Sequence, residues 1–319
     1  MTAPVVQRKK TKTDPMKINK TRLTISPPAP FDFQKNALSH GWINLAPNHW
    51  DAKRRVLRRA EHLKTGKIVL LEIGAGHTAK QPEIIIKVSH TGRLAKTEQR
   101  EIIASVGRMF RVDEDLSPFF DMCKKRGGSW LKASQSMGRL LRSPTVFEDA
   151  VKVICTTNIQ WNGTRRMIEG LVRALGEPYA GDSRWRAFPG PKRMAAAAPE
   201  TFTEAVRLGY RGDYIHTLAR RIASGDLDLE NFRSSNMPTP GLKKELKAIK
   251  GVGDYAAASL LMLLGRYDEL AIDTVFREFV AKKYFKGRRP SNQEARAVYR
   301  DWGEWKYLAF WFDIRGGLD

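Results

Sequence analysis

The sequence predicts an α+β fold, in which a small antiparallel β-sheet precedes a mostly α-helical body. Two observations predict it. Residues 67–73 and 83–88 are β-branched runs of strand length, whereas from about residue 97 the apolar residues recur with a helical period. Strands that come before the helices rather than alternating with them are typical of α+β proteins. The 319 residues exceed one domain of about 100–200 residues, so we expect packed subdomains in one body.

The first segment, residues 1–30, is rich in Lys, Thr and Pro and closes on Pro27-Pro28-Ala29-Pro30. Such a composition buries too little apolar surface to fold by itself, so we expect a disordered basic arm over residues 1–30. The first twenty residues have no apolar centre, so we do not expect them to be a secretory signal.

The second segment, residues 31–115, is predicted to be an antiparallel β-sheet subdomain. The two β-branched runs at 67–73 and 83–88 are separated by a Gly-containing turn region. Residues 31–42 are expected to add to this sheet.

The third segment, residues 116–319, is predicted to be a helical body. Pro, Gly, Ser and Asp punctuate it at intervals of helix length. The sequence has no repeat of fixed period, which argues against a solenoid.

The charge indicates a polyanionic partner. Lys and Arg number 56 against 34 Asp and Glu, which gives a formal net charge of +22. Such a surface favours nucleic acid over a membrane, because the chain has neither a long basic amphipathic helix nor an apolar run of about 18 residues. The two cysteines, Cys123 and Cys155, are too few for a disulfide framework, which fits a reducing compartment.

The segment 246–261, LKAIKGVGDYAAASLL, is the most informative motif. Leu246 and Ile249 share one helical face, two glycines flank Val252, and a new helix opens with alanines. The glycines permit a tight turn and let main-chain N–H groups at the next helix N-terminus approach a phosphate. The alternative is an ordinary helix–turn–helix corner with a Gly cap.

A second motif, LAIDTVFR at 270–277, follows the hairpin. Asp273 precedes a helix and is therefore a candidate N-cap. Hairpin and spaced aspartate together resemble the helix-hairpin-helix (HhH-GPD) superfamily of base-excision DNA glycosylases. In that family this Asp is essential, so the resemblance implies that Asp273 is catalytic. The resemblance also implies contacts to the DNA from the hairpin residues Lys250, Gly251, Val252, Gly253 and Asp254.

Two further segments extend the resemblance toward the 8-oxoguanine branch of the superfamily. Residues 147–168 resemble the first long helix of its core, in which an Asn at the position of Asn158 fills the gap left by the flipped nucleotide. Residues 208–215, LGYRGDYI, are similar to the segment whose Tyr and Arg contact the orphaned partner base, which implies this role for Tyr210 and Arg211. The alternative is a core aromatic beside a solvated Arg.

The resemblance also implies a pocket for the extruded base. In the family a C-terminal helix supplies an aromatic that stacks on this base, and Trp311 in the aromatic-rich run 302–311 matches it best. The alternative for these aromatics is a packed terminal helix. The remaining members of the expected pocket are Gly41, Tyr255 and Tyr307.

The chemistry follows from the residue at one position. Bifunctional members of the family form a Schiff base through a Lys two residues after the second hairpin Gly, where this chain has Tyr255. A phenol cannot form an imine, so we expect a monofunctional enzyme that uses water. We reject Lys250 as a nucleophile, because basic residues beside such hairpins usually contact the backbone. A carboxylate at Asp273 is expected to stabilise the developing positive charge on the sugar and to activate water.

No cofactor is expected. The chain has no Cys beyond 155, which excludes the iron–sulfur cluster of one branch. Hairpin carbonyls of the family often hold a monovalent cation. The resemblance implies such a site at the main-chain oxygens of Lys247, Ile249 and Val252.

The sequence thus predicts a monofunctional DNA glycosylase that acts as a monomer on a damaged purine in double-stranded DNA. Alkylated purines are favoured over 8-oxoguanine, because an aromatic pocket attracts cationic bases. Two alternatives stay open: an 8-oxoguanine glycosylase that recruits another Lys for strand cleavage, and a non-catalytic protein that binds damaged DNA. We expect the cytoplasm or nucleoid if the source is bacterial and the nucleus if it is eukaryotic.

Overall fold

The computed structural model describes residues 17–76, 81–135 and 139–315. Its N-terminal part is a five-stranded antiparallel sheet with strand order β1-β5-β4-β3-β2. Apart from one short helix and one 3₁₀ helix between β1 and β2, the helices follow the sheet in the chain, which confirms the α+β fold class. The strands are β1 (Ile18–Ile25), β2 (His49–Asp51), β3 (Val56–His62), β4 (Ile68–Ala75) and β5 (Ile84–Thr91).

Strand β1 shows that the prediction of a disordered arm over residues 1–30 is wrong for residues 18–25. Residues 18–25 pair along their whole length with β5, so that Leu23 lies opposite Ile86. The composition of the segment misled the prediction, because an edge strand needs few apolar residues when its neighbour supplies the hydrogen-bond partners. Leu23 is its one buried residue. Residues 1–16 of the expected arm lie outside the described residues.

Residues 31–42 also differ from the prediction, because they form no strand. Asp32 accepts a hydrogen bond from the main-chain N–H of Lys35 at 2.8 Å and so begins the short helix α1 (Phe33–Ala37). A 3₁₀ helix, Gly41–Asn44, follows it. The runs at 67–73 and 83–88 do form strands, namely β4 and β5.

The helical body carries one further β-hairpin, which the sequence did not predict. Its strands are β6 (Pro178–Tyr179) and β7 (Asp182–Arg186), and Ala187 just after it forms a parallel bridge with Ala60 of the sheet. Within the described residues, no helix is both long and apolar enough to cross a bilayer. The other helices are α2 (Lys96–Met109), α3 (Ser117–Arg126), α4 (Trp130–Ala133), α5 (Val146–Thr156), α6 (Trp161–Leu175), α7 (Pro191–Ala195), α8 (Arg211–Ser224), α9 (Thr239–Lys247), α10 (Asp254–Leu263), α11 (Thr274–Tyr284), α12 (Asn292–Ala297) and α13 (Lys306–Ile314).

The sheet and the helices share one hydrophobic core. A buried ion pair also joins them: Arg59 of β3 donates to Glu148 of α5 at 2.9 Å. The Arg59 and Lys152 cations hold the pKa of Glu148 at about 2 despite its burial. Breaking one partner of such a pair costs about 3–5 kcal/mol, so this contact fixes the sheet on α5.

Buried arginines hold the far end of α10. The guanidinium of Arg111 donates to the main-chain oxygen of Met262 at 2.9 Å, and that of Arg142 donates to Leu263 at 2.8 Å. These donors satisfy carbonyls that the last turn of a helix leaves free. They position α10, whose first turn faces the cleft described next.

Candidate active site

A cleft of about 1700 Å³ lies where the helical body meets the loop after α1. The structure brings most of the residues singled out by the sequence into its wall, although they are far apart in the chain. The exception is Arg211. The residues that meet there are Gly41, Asn158, Tyr210, Lys247, Ile249, Lys250, Gly251, Val252, Gly253, Asp254, Tyr255, Asp273, Tyr307 and Trp311.

The hairpin connects α9 to α10, and its two glycines do different things. Gly251 has φ +89°, and a Cβ there would overlap the ring of Tyr214. Gly253 is the N-cap of α10, and a Cβ there would have no neighbour within 4 Å. Gly251 is therefore needed for the turn itself, whereas Gly253 leaves open space at the helix start.

The first turn of α10 has no side-chain cap. Its N–H groups point out of the helix, where they and the positive end of the helix dipole favour an anion. Val252 is buried and donates its N–H to the Ile249 oxygen at 3.0 Å, which closes the turn. The hairpin therefore has the geometry of a phosphate-binding helix start.

Each hairpin lysine pairs with a carboxylate. Lys247 contacts Asp254 at 2.9 Å, and Lys250 contacts Asp213 at 2.5 Å. These ion pairs lower the pKa of Asp254 and raise that of Lys250. Both pairs are largely exposed, so the lysines can exchange a carboxylate for a phosphate at little cost.

Asp273 is the N-cap of α11. Its Oδ1 accepts a hydrogen bond from the N–H of Phe276 at 2.7 Å. Within the described part of the chain, no hydrogen bond to Oδ2 is found, and the half-buried side chain lines the cleft. One oxygen thus fixes the carboxylate, while the other is free to act in the cleft.

Tyr255 lies in the first turn of α10, in the same cleft as Asp273. Burial, and next the nearby negative charge of Asp273, raise the pKa of its phenol. The phenol is therefore neutral at physiological pH and cannot serve as a nucleophilic amine would.

Aromatic residues of α13 form another wall. Trp311 donates its indole N–H to the Ser39 oxygen at 2.9 Å and lies nearly parallel to the ring of Tyr307, with 6.2 Å between centroids. The guanidinium carbon of Arg315 lies 4.8 Å from the centroid of the Trp311 ring. A base that enters the cleft therefore meets an aromatic wall that also carries a cation.

His40 and Trp161 are among the wall residues that the sequence did not predict as site residues. The His40 ring lies between Trp42 and Trp311, with centroid distances of 4.3 Å and 5.2 Å. Trp161 at the start of α6 covers Gly41, where a Cβ would come within 2.8 Å of its ring. The run Ser39-His40-Gly41-Trp42 combines small and aromatic residues in a loop, and this was the available signal.

The rim of the cleft carries Asn158 and Tyr210. Asn158 has φ +49° and is exposed, and its Nδ2 donates to the Tyr210 hydroxyl at 3.4 Å. Tyr210 is 50% exposed. Both side chains are accessible to a ligand, as their predicted roles require.

Arg211 differs from the prediction of a contact to the partner base. Its side chain is buried, its guanidinium donates to the main-chain oxygens of Thr157 and Asn158, and it lies 4.6 Å from the ring centroid of Tyr210. Arg211 therefore positions the turn that presents Asn158. The sequence could not reveal this, because the acceptors are main-chain atoms some fifty residues away.

The expected monovalent cation at the oxygens of Lys247, Ile249 and Val252 stays a prediction. Main-chain oxygens are hard donors that suit such an ion, and the Ile249 oxygen also accepts the N–H of Val252 at 3.0 Å. Within the described ranges, no group of three or more His, Cys, Asp or Glu side chains is arranged to hold a metal.

A helical body behind an N-terminal sheet, an uncapped hairpin helix and a half-buried aspartate at the next helix start are the features in which this chain resembles the helix-hairpin-helix DNA glycosylases. The chain is 26% identical over 220 residues to a DNA-3-methyladenine glycosylase of Bacillus subtilis, which covers 67% of this chain and 72% of that protein. No family model matches the chain.

Two solved structures share the fold. A 3-methyladenine DNA glycosylase from Archaeoglobus fulgidus superposes with a TM-score of 0.69 at 20% identity, over 91% of this chain and 98% of that one. An 8-oxoguanine glycosylase/lyase of Clostridium acetobutylicum, solved with double-stranded DNA, superposes with a TM-score of 0.59 at 18% identity. The superposition covers 80% of this chain and 86% of that one. This chain therefore shares its fold with both solved glycosylases.

Proposed function

We propose that this DNA glycosylase is monofunctional: it extrudes a damaged purine from duplex DNA and hydrolyses its N-glycosidic bond without cleaving the strand. One observation carries the proposal. A carboxylate with one free oxygen, that of Asp273, lines the cleft together with Tyr255, which stands where a Schiff-base lysine would be needed.

DNA binding is supported by the hairpin and by charge. The free N–H groups at the start of α10, with Lys247 and Lys250 beside them, offer contacts to phosphates irrespective of sequence. The exposed Asn158 and Tyr210 at the rim can occupy the space that an extruded nucleotide leaves. Extrusion itself is required, since a base inside the duplex stack is out of reach.

The chemistry balances with water as the sole co-reactant. The bond between C1′ and the base nitrogen breaks, and the base leaves with the bonding electrons. The sugar then carries positive charge, which the Asp273 carboxylate stabilises. Water adds to C1′ and its proton passes to Asp273. Asp273 then gives this proton to the departed base, or to solvent where a cationic base left in neutral form, so that an abasic site and a free base result and the carboxylate is regenerated.

The lack of an amine nucleophile is supported by the lysines of the cleft. Among the described wall residues these are Lys247 and Lys250, and each is paired with a carboxylate. An ammonium that is stabilised in this way is a poor nucleophile.

Alkylated purines are the favoured substrates. Trp42, Tyr255 and Tyr307 line the cleft beside Trp311, against whose ring the Arg315 guanidinium lies, and aromatic faces attract the cationic ring of an alkylated purine. The Bacillus subtilis relative, named as a DNA-3-methyladenine glycosylase, supports the same choice.

The test is a panel of duplexes that each carry one lesion: 3-methyladenine, 1,N6-ethenoadenine, 8-oxoguanine or uracil. We expect the purified protein to release 3-methyladenine, to leave the strand intact until alkali is added, and to give no adduct with borohydride. Release of 8-oxoguanine alone would overturn the substrate choice, and a borohydride-trapped adduct would overturn the water mechanism. Binding without release of any base would favour the non-catalytic alternative.

A further inference from the structure

His40 is a buried polar residue in the wall of the cleft that the proposed hydrolysis does not use. Only 6% of its surface is exposed. The rings of Trp42 and Trp311 both contact it, with centroid distances of 4.3 Å and 5.2 Å, and both tryptophans are themselves hydrogen-bonded. The Trp42 indole N–H donates to Asp149 at 2.8 Å, and that of Trp311 donates to the Ser39 oxygen. The imidazole therefore has a fixed position.

The hydrogen bond of His40 defines its tautomer. Nδ1 lies 3.1 Å from the main-chain oxygen of Leu141. A carbonyl can only accept, so Nδ1 carries the proton. Burial, and then the positive charges of Arg111 and Arg315, lower the pKa of His40 to about 3, so the ring is neutral. In a neutral imidazole protonated on Nδ1, the other nitrogen, Nε2, presents a lone pair.

This lone pair faces the cleft. Within the described residues Nε2 has no hydrogen-bond partner. It also keeps some solvent-accessible surface, unlike the unpaired polar atoms that are fully buried. The ring lines the same cavity as Asp273. A rigid acceptor thus points into the space that an extruded base would enter.

We infer that Nε2 of His40 accepts a hydrogen bond from an N–H group of the extruded base, so that His40 selects lesions that carry such a donor. This inference rests on the proposed function. A base that lacks an N–H at this place leaves a buried acceptor unpaired, and an unpaired polar group in a binding site discriminates more strongly than a lost apolar contact. Exocyclic amino groups and ring N–H groups share this chemistry.

The test compares two variants that both lose the Nδ1 bond to Leu141. His40→Phe keeps a ring between the tryptophans and has no acceptor, whereas the amide of His40→Gln can place an oxygen near the position of Nε2. Single-turnover rates of base release are measured on 3-methyladenine, which has an amino group, and on hypoxanthine, which has a ring N–H. The third lesion is 1,N6-ethenoadenine, whose base has no N–H.

We expect His40→Phe to slow the release of 3-methyladenine, of hypoxanthine or of both by roughly tenfold. His40→Gln should retain most of the wild-type rate on the same lesions. Neither variant should slow the release of 1,N6-ethenoadenine. Loss on 3-methyladenine alone would assign the amino group as the donor, and loss on hypoxanthine alone the ring N–H. An equal loss on all three lesions, or wild-type rates for His40→Phe, would overturn the inference. If the wild type releases no base, the proposed function fails rather than this assignment.

Discussion

The carboxylate of Asp273 accepts the main-chain N–H of Phe276 at 2.7 Å and in this way caps α11. The two interpretations of this residue, helix cap and catalytic carboxylate, are therefore compatible. Capping holds the side chain in one orientation, and within the described residues its second oxygen accepts no hydrogen bond while the residue lines the cleft. Preorganised charge of this kind stabilises a transition state without reorganisation during the reaction.

Replacing Asp273 by Asn separates the two roles. An Asn side chain still caps a helix, so the free energy of unfolding of Asp273→Asn should lie within about 1 kcal/mol of the wild-type value. Base release in single-turnover assays should fall by about 10²–10³-fold, because the negative charge is lost. Asp273→Ala should lose activity and also about 1 kcal/mol of stability. Release at the wild-type rate by Asp273→Asn would refute the mechanism.

Tyr255 is expected to decide between water and amine chemistry. In Tyr255→Lys, an amine enters the cleft that Asp273 also lines. We expect a borohydride-trapped adduct with lesion-containing DNA and cleavage of the strand, neither of which the wild type should give. Lys250→Arg serves as the control, because it removes the nearby hairpin amine but keeps the charge. An unchanged product pattern for Tyr255→Lys would mean that its side chain does not reach C1′.

The two hairpin glycines should respond differently to a methyl group. Gly253→Ala places its Cβ in open space at an ordinary φ of −86°, so its free energy of unfolding should drop by less than about 1 kcal/mol. Its affinity for duplex DNA should nevertheless fall by about tenfold, because the Cβ stands where a phosphate approaches the N–H groups. Kd is measured by fluorescence anisotropy.

Gly251→Ala is the contrasting variant. Its φ of +89° and the overlap with Tyr214 should cost about 1–3 kcal/mol of stability. Wild-type DNA affinity in Gly253→Ala would show that the hairpin is an ordinary helix corner.

Asp254 pairs with Lys247 beside the phosphate-binding turn. Its carboxylate repels DNA, so Asp254→Asn should bind duplex DNA about two- to fivefold more tightly at low salt, with the difference shrinking as salt screens the charge. Asp121→Asn is the matched control, because Asp121 forms a similarly exposed pair with Lys124 outside the cleft. Weaker binding by Asp254→Asn would instead indicate that the carboxylate orients Lys247 for the phosphate.

Local sequence patterns were sufficient to predict much of the fold and of the candidate site. Strands β4 and β5 were predicted because their β-branched runs are long and bounded by turns. The glycine at 251 and the cap at Asp273 were predictable because a positive φ and an N-cap are requirements of single positions.

Features that depend on distant partners were not predictable. Strand β1 has a composition typical of disorder and is ordered by the edge of β5. Arg211 resembles a surface residue in sequence, but it is buried against main-chain oxygens of the turn at Thr157 and Asn158. In both cases the stabilising groups belong to another part of the chain.

The sequence by itself determined the α+β class, the resemblance to the helix-hairpin-helix glycosylases, the candidate Asp273 and the absence of an amine at Tyr255. These follow from residue type and short spacing. Only the tertiary structure decided what the cleft can recognise. The neutral tautomer of His40 depends on the Leu141 oxygen a hundred residues away and on burial between two tryptophans, because the protonation of a buried group is set by the neighbours that the fold brings to it.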